Sequence, residues 1–226
     1  SLGSNTTSSN NTALGTYALR SNTTAGQNTA VGYQSLYYNT TGGENTASGY
    51  RALHNNTTPS NNTAFGYAAL VANTTGGENT AVGGLALSDA TTASNNAAFG
   101  FNALGDNTTG AQNVALGKDA LRLNTTASEN TAVGYQASFY GTTGTANTAL
   151  GWKALFTNVG GDRNVAVGNE ALETMNPSAG TDSYNVAVGF RAGTAVTTGI
   201  RNTFIGGLAG DALTDATDNV AIGQTA

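Results

Sequence analysis

Asn-Thr-Ala-Val-Gly at residues 28–32 recurs along the chain at a fixed interval. Its Asn returns at Asn11, Asn28, Asn45, Asn62, Asn79, Asn96, Asn113, Asn130, Asn147 and Asn164, in steps of 17. One step of 21 reaches Asn185, and steps of 17 continue to Asn202 and Asn219. A chain held to one short period cannot assemble a conventional core from unlike segments. It has to stack near-identical units, each burying its apolar side on its neighbours.

Each unit reads Asn, then Thr or Val, Ala, a large apolar residue and Gly. An aromatic often follows, then any residue, Ala, Leu and a polar turn. The large apolar position holds Leu14, Val31, Phe65, Val82, Phe99, Leu116, Val133, Leu150, Val167, Val188, Ile205 and Ile222, with Ser48 the exception. It lies two residues beyond Thr12, Thr29, Val114, Val165, Val186 and Val220, the spacing of side chains that share one face of a strand. Thr and Val are also strand formers. The other face carries Asn28, Ala30 and Gly32. The alternation predicts a core built from the large apolar column. It leaves the small Ala column (Ala13, Ala30, Ala47 and their equivalents) as a face on which another chain could pack closely.

A second short strand is expected at Ala-Leu, as in Ala18-Leu19, Ala52-Leu53 and Ala103-Leu104, because the roughly five residues available are too few for a stable helix. Asn-Thr-Thr, with Gly or Ser nearby, supplies turn chemistry. The predicted fold is an all-β parallel β-solenoid, or β-roll, of thirteen 17-residue coils. Rising ~4.8 Å per coil, it makes a rod on the order of 60 Å long. The recurring Asn side chains stack into an amide ladder. Residues 1–172 form the regular array and residues 173–184 an insertion loop. Residues 185–226 continue the solenoid with Ala192-Gly193 and Ala209-Gly210 in place of Ala-Leu.

Charged residues are only 9% of the chain and the net charge is −5, which argues against nucleic acid or anionic lipid as partners. With no cysteine there is no disulfide framework and no thiolate metal site. No apolar run approaches the ~18 residues of a membrane-spanning helix. The only methionine is Met175. Ser1-Leu2 stands at the phase of Ser35-Leu36, and Ala226 at that of Ala18. That register is expected of a window from a longer array, or of units that stack head to tail.

Chemistry that needs singular residues is scarce. His54 is the only histidine and sits at a turn without a nucleophile or orienting acid nearby in sequence, so a surface turn residue is expected rather than a base. Gly160-Gly161-Asp162 and the group Asp211, Asp215 and Asp218 read as turns, with calcium as the alternative at each. No enzyme, cofactor or resident metal is expected. Asn-Thr-Thr at Asn5, Asn22, Asn39, Asn56, Asn73, Asn107 and Asn124 also matches the glycan acceptor pattern. Thr23, Thr40, Thr57, Thr74 and Thr108 make a partial Thr column, which brings in ice binding as a minor alternative.

Asn-Val-Ala-Val-Gly at 164–168 and 185–189, Asn-Val-Ala-Ile-Gly at 219–223, and Ala-Gly at 192–193 and 209–210 resemble the head repeats of trimeric autotransporter adhesins. The longer unit, as in residues 28–44, is similar to repeats of phage tail-fibre and related surface-fibre proteins. The resemblance covers nearly the whole chain. It implies a left-handed β-roll wound as a trimer, the homo-oligomer that the small Ala column also predicts (a head-to-tail filament being the alternative), and a place at a cell or virion surface. The function it implies is that of a structural and adhesive fibre segment meeting a glycan or protein receptor. A structural filament subunit without a receptor is the alternative.

Overall fold

The computed structural model describes residues 2–226. Contacts divide the chain into two compact units, Ser1–Gln112 and Asn113–Ala226. Each is a parallel β-solenoid, and no helix occurs among the described residues. The first unit holds β1 (Thr12–Leu14), β2 (Thr29–Val31), β3 (Thr46–Ser48), β4 (Thr63–Phe65), β5 (Thr80–Val82) and β6 (Ala97–Phe99), paired in chain order. The second holds β7 (Val114–Leu116), β8 (Thr131–Val133), β9 (Thr148–Leu150), β11 (Val165–Val167), β13 (Val186–Val188), β14 (Thr203–Ile205) and β15 (Val220–Ile222). A separate pair joins β10 (Gly161–Asp162) to β12 (Thr181–Asp182).

Register follows the sequence period. Thr12 lies opposite Thr29, Ala13 opposite Ala30 and Leu14 opposite Val31. The 21-residue step changes nothing in this ladder, since Val165 still faces Val186. Its extra residues fold back on the preceding coil. There β12 pairs with β10 in parallel, and Met175 and Pro177 are buried.

The Gly that ends each strand is required by contact between coils. At Gly15 φ is +133°, and a Cβ would stand 2.6 Å from the Gly32 carbonyl oxygen. Any side chain would push successive coils apart, and L residues rarely reach that φ.

Two expectations are corrected. Ala-Leu is not a strand: residues 16–21 form a turn, and Leu19, Leu36, Leu53 and Leu70 adopt φ of 49–51°. A left-handed residue costs about 1–2 kcal/mol, but burying a Leu gains roughly 1.5–3 kcal/mol, and these leucines are fully buried. The turn still bonds to its neighbours, with the Leu19 N–H donating to the Ser35 carbonyl at 3.1 Å and the Leu36 N–H to Ala52 at 3.0 Å.

The second correction reverses inside and outside. Ala30, Ala47, Ala64 and Ala81 are fully buried, while Leu14, Phe65, Leu116 and Leu150 stand exposed. The Ala column is therefore core and gives no lateral contact face. The physical reason is width, because a 17-residue coil leaves room only for Ala opposite the buried Leu. One coil tests this. Phe204 takes the Ala position of β14 and is fully buried. The neighbouring Leu positions then become Gly193 and Gly210. A Cβ on Gly193 would meet Phe204 Cδ2 at 2.7 Å and Leu172 Cδ2 at 3.0 Å, and one on Gly210 would strike the same ring.

Candidate functional site

Two Asn columns line the interior of each unit. In the first unit the Oδ1 of Asn11, Asn28, Asn45, Asn62 and Asn79 accepts from the backbone N–H of the Asn one coil on, at 2.9–3.1 Å. In the second, Asn113, Asn130, Asn147, Asn164, Asn185 and Asn202 do the same toward Asn219, at 2.9–3.1 Å. The rung is thus mainly side-chain oxygen to backbone N–H. Direct amide-to-amide bonds occur as well, as from Asn96 Nδ2 to Asn79 Oδ1 at 3.1 Å.

The other column holds the Asn-Thr-Thr asparagines, and their placement corrects the glycan reading. Asn22, Asn39, Asn56, Asn73, Asn107 and Asn124 are fully buried, and Asn5 is half-buried. Their Nδ2 groups donate to backbone carbonyls, as from Asn39 to Gly42 at 2.8 Å and from Asn73 to Gly76 at 2.8 Å. The atom that would carry a sugar is inside and already bonded. Both columns converge on one acceptor per coil, since the Gly42 carbonyl also accepts from Asn28 Nδ2 at 2.9 Å. A buried carbonyl with two lone pairs is satisfied by two amides.

The outer face of the sheet is the site with unspent surface. Leu14, Phe65 and Phe99 in the first unit stand exposed on it, as do Leu116, Leu150, Val188, Ile205 and Ile222 in the second. Across the Gly column lie exposed aromatics: Tyr33, Tyr50, Tyr67 and Phe101, then Tyr135, Trp152 and Phe190. Tyr33, Tyr50 and Tyr67 stack at centroid distances of 5.4 and 5.3 Å with planes 12° and 6° apart. Stacking occupies the ring faces, so this ladder offers edges and hydroxyls outward.

His54 is buried, which corrects its reading as a surface residue. Its ring stacks on Tyr37 at 5.3 Å and meets the edge of Tyr38 at 5.1 Å. Burial lowers its pKa, partly offset by the hydrogen bond with Asn55 and reinforced by the Arg51 charge. Phe156 occupies the same place in the repeat, stacked on Phe139 at 5.6 Å and against Tyr140 at 5.2 Å. A position that Phe fills equally well is a packing position.

Two of the Asp candidates, Asp218 and Asp162, are also engaged. Asp218 takes a two-pronged contact from Arg201, Nε to Oδ1 at 2.6 Å and Nη2 to Oδ2 at 2.8 Å. Asp162 Oδ1 accepts from the Thr145 N–H at 2.6 Å. Among the described residues no three His, Cys, Asp or Glu side chains gather to hold a metal ion. The Thr column is more regular than expected, with Thr91 joining Thr74 to Thr108 through Oγ1-to-carbonyl bonds of 3.0 and 3.2 Å.

Fold and surface together define a β-solenoid repeat protein with amide ladders in its interior and large apolar side chains exposed on the outer face of its sheet. No family model, curated protein or solved structure matches the chain.

Proposed function

We propose that the chain is a structural and adhesive segment of a fibre at a cell or virion surface. It works as a homo-oligomer, a trimer by preference, whose chains meet along their sheet faces. The observation that carries this reading is the row of exposed apolar side chains on that face, Leu and Phe in the first unit and Leu, Val and Ile in the second. Large contiguous apolar patches on soluble proteins mark interaction surfaces. Repetition gives every coil the same small contact, and many weak contacts in series sum to a firm one. The surface lacks the cationic runs that would point to nucleic acid.

Sedimentation equilibrium tests the reading. The expected mass is a small integer multiple of 22.6 kDa, with three chains favoured; a monomer at tens of micromolar overturns it. Assembly without capture by any glycan or cell surface reduces it to a structural filament. Ice binding is favoured by one observation. Thr24, Thr41, Thr58, Thr75, Thr92 and Thr109 form an unbroken exposed column in the first unit. Thermal hysteresis at millimolar protein is the test of that alternative.

A further inference from the structure

The first unit carries a second period on top of the 17-residue one. Its turns read Thr-Thr-Gly-Gly-Glu-Asn at 40–45, Thr-Thr-Pro-Ser-Asn-Asn at 57–62, Thr-Thr-Gly-Gly-Glu-Asn at 74–79 and Thr-Thr-Ala-Ser-Asn-Asn at 91–96. Gly-Glu and Ser-Asn therefore alternate, and like chemistry returns every 34 residues, about 10 Å along the stack.

The last three of these turns bound a cavity of about 320 Å³ lined by Ser60, Asn61, Thr75, Glu78, Ser94 and Asn95 among others. That is the lower end of the range for ligand sites. Pro59 and Gly77 complete the lining, and no strand residue takes part, so the cavity is separate from the apolar sheet face.

Its polar groups are set by the backbone. Asn61, Glu78 and Asn95 adopt φ of 59–62° and stand exposed. Ser60 Oγ accepts from the Gly43 N–H and Ser94 Oγ from the Gly77 N–H, each at 3.1 Å. Each serine is held by its acceptor side, which leaves its proton for a guest. Glu44 and Glu78 have no ion-pair partner among the described residues. The cavity thus offers the Ser60 and Ser94 hydroxyls with the Glu78 carboxylate between them, and Glu44 holds the place of Glu78 two coils earlier, so each kind of group comes once per two coils.

We infer that this groove binds an extended β-1,4-linked glycan of neutral or amino sugars, lying along the stack with one disaccharide per two coils. A pyranose linked through opposite ends advances by close to one strand spacing, and alternate sugars in such a chain face opposite ways. The ligand therefore repeats over two coils, as the groove does. An extended peptide repeats over about 7 Å per residue pair and falls out of step. The carboxylates favour hydroxyl or ammonium donors and repel uronates. The inference rests on the adhesive part of the fibre reading and names its ligand.

The test is calorimetric titration of the full chain with five hexamers. These are β-1,4-linked glucosamine, N-acetylglucosamine and glucose, with α-1,4-linked glucose and galacturonate as controls. The three β-linked neutral or amino hexamers are expected to bind at least tenfold tighter than the two controls. Gly77→Leu fills the groove floor and is expected to weaken them at least tenfold. Glu44→Gln with Glu78→Gln is expected to remove the preference for glucosamine over its N-acetyl form. Gln already stands in that column at Gln27 and Gln112, so the fold tolerates it; matching thermal melts confirm folding for both variants.

The inference is overturned if either control binds within threefold of the β-linked hexamers. No β-linked binding at millimolar ligand, an unaffected Gly77→Leu, or a retained amino-sugar preference in the double Gln variant each overturns it too. Sedimentation separates the two readings. A monomer that binds glycan keeps the groove and removes the oligomeric fibre. An oligomer that ignores all five hexamers does the reverse.

Discussion

At the scale of single residues, this interior is unusual because amides hold it together as much as hydrocarbon. Asn79 shows what one rung is worth. Its Oδ1 accepts from the Asn96 N–H at 3.1 Å, and its Nδ2 donates to the Ala93 carbonyl at 2.8 Å. Asn79→Ala strands a buried donor and leaves Ala93 short of one bond, at about 1–3 kcal/mol each. Urea unfolding should therefore show a loss of about 2–6 kcal/mol. Asn79→Asp keeps the acceptor but turns a carboxylate toward the Ala93 carbonyl. Its loss should be larger at pH 7 than at pH 4, where protonation restores a donor.

His54 gives a pH prediction of definite sign. Its folded pKa lies below the unfolded value of 6.5, so between the two the unfolded chain binds the extra proton. Stability should hold above pH 6.5 and fall as the solution is acidified through the folded pKa. His54→Phe copies Phe156 and should flatten that part of the Tm–pH curve; an unaltered slope would place the proton elsewhere. The neutral ring was not legible in the sequence, where a lone histidine in a polar turn has no visible partner. The signal lay one repeat group away. Tyr37-Tyr38 with His54 and Phe139-Tyr140 with Phe156 occupy the same repeat positions.

At the scale of the element, the strand positions and their register could be read directly, because a fixed period leaves only one way to align Thr12 with Thr29. The facing of the strand could not. Large residues usually point inward, and nothing local in Thr-Ala-Val says that the coil is too narrow for them. Ala-Leu resembles a strand in sequence for a related reason, since no propensity scale favours Leu at positive φ. The usable clue was Gly193 and Gly210 in a column otherwise held mostly by Leu, as glycine at a turn often reports a left-handed residue.

The same substitutions make a coupled test. Phe204→Ala alone opens a cavity and should cost about 3–5 kcal/mol. Gly193→Leu with Gly210→Leu should clash with the Phe204 ring and destabilise the chain as well. All three together rebuild the regular unit of the neighbouring coils and should recover most of both losses. A double-mutant cycle with no coupling between Phe204 and the glycine pair would contradict the width limit that explains this core.

At the scale of the molecule, the buried side chains are mostly Ala, Leu and Asn, while many of the largest apolar groups lie outside. Burial of apolar area sets the heat-capacity change of unfolding, about 12–15 cal/mol/K per residue in ordinary domains. A lone chain of this kind should fall below that range per residue, because Ala contributes little and the strand-face Leu and Phe are already wet. Association along the sheet face would bury those side chains and bring the value back up. It would also tie stability to concentration, since whatever binds only the folded form raises its Tm by mass action.

The prediction has two arms. Wild-type Tm should rise by several degrees across a hundredfold increase in protein, with a heat-capacity change in the ordinary range. Leu116→Lys with Leu150→Lys places charges on the exposed face without touching the core. It should abolish the concentration dependence, lower the heat-capacity change and leave the strand signal in circular dichroism intact. A wild-type Tm that ignores concentration, with a heat-capacity change as low as that of the Lys variant, would mean that the sheet face stays open to water. The apolar column would then need another occupant.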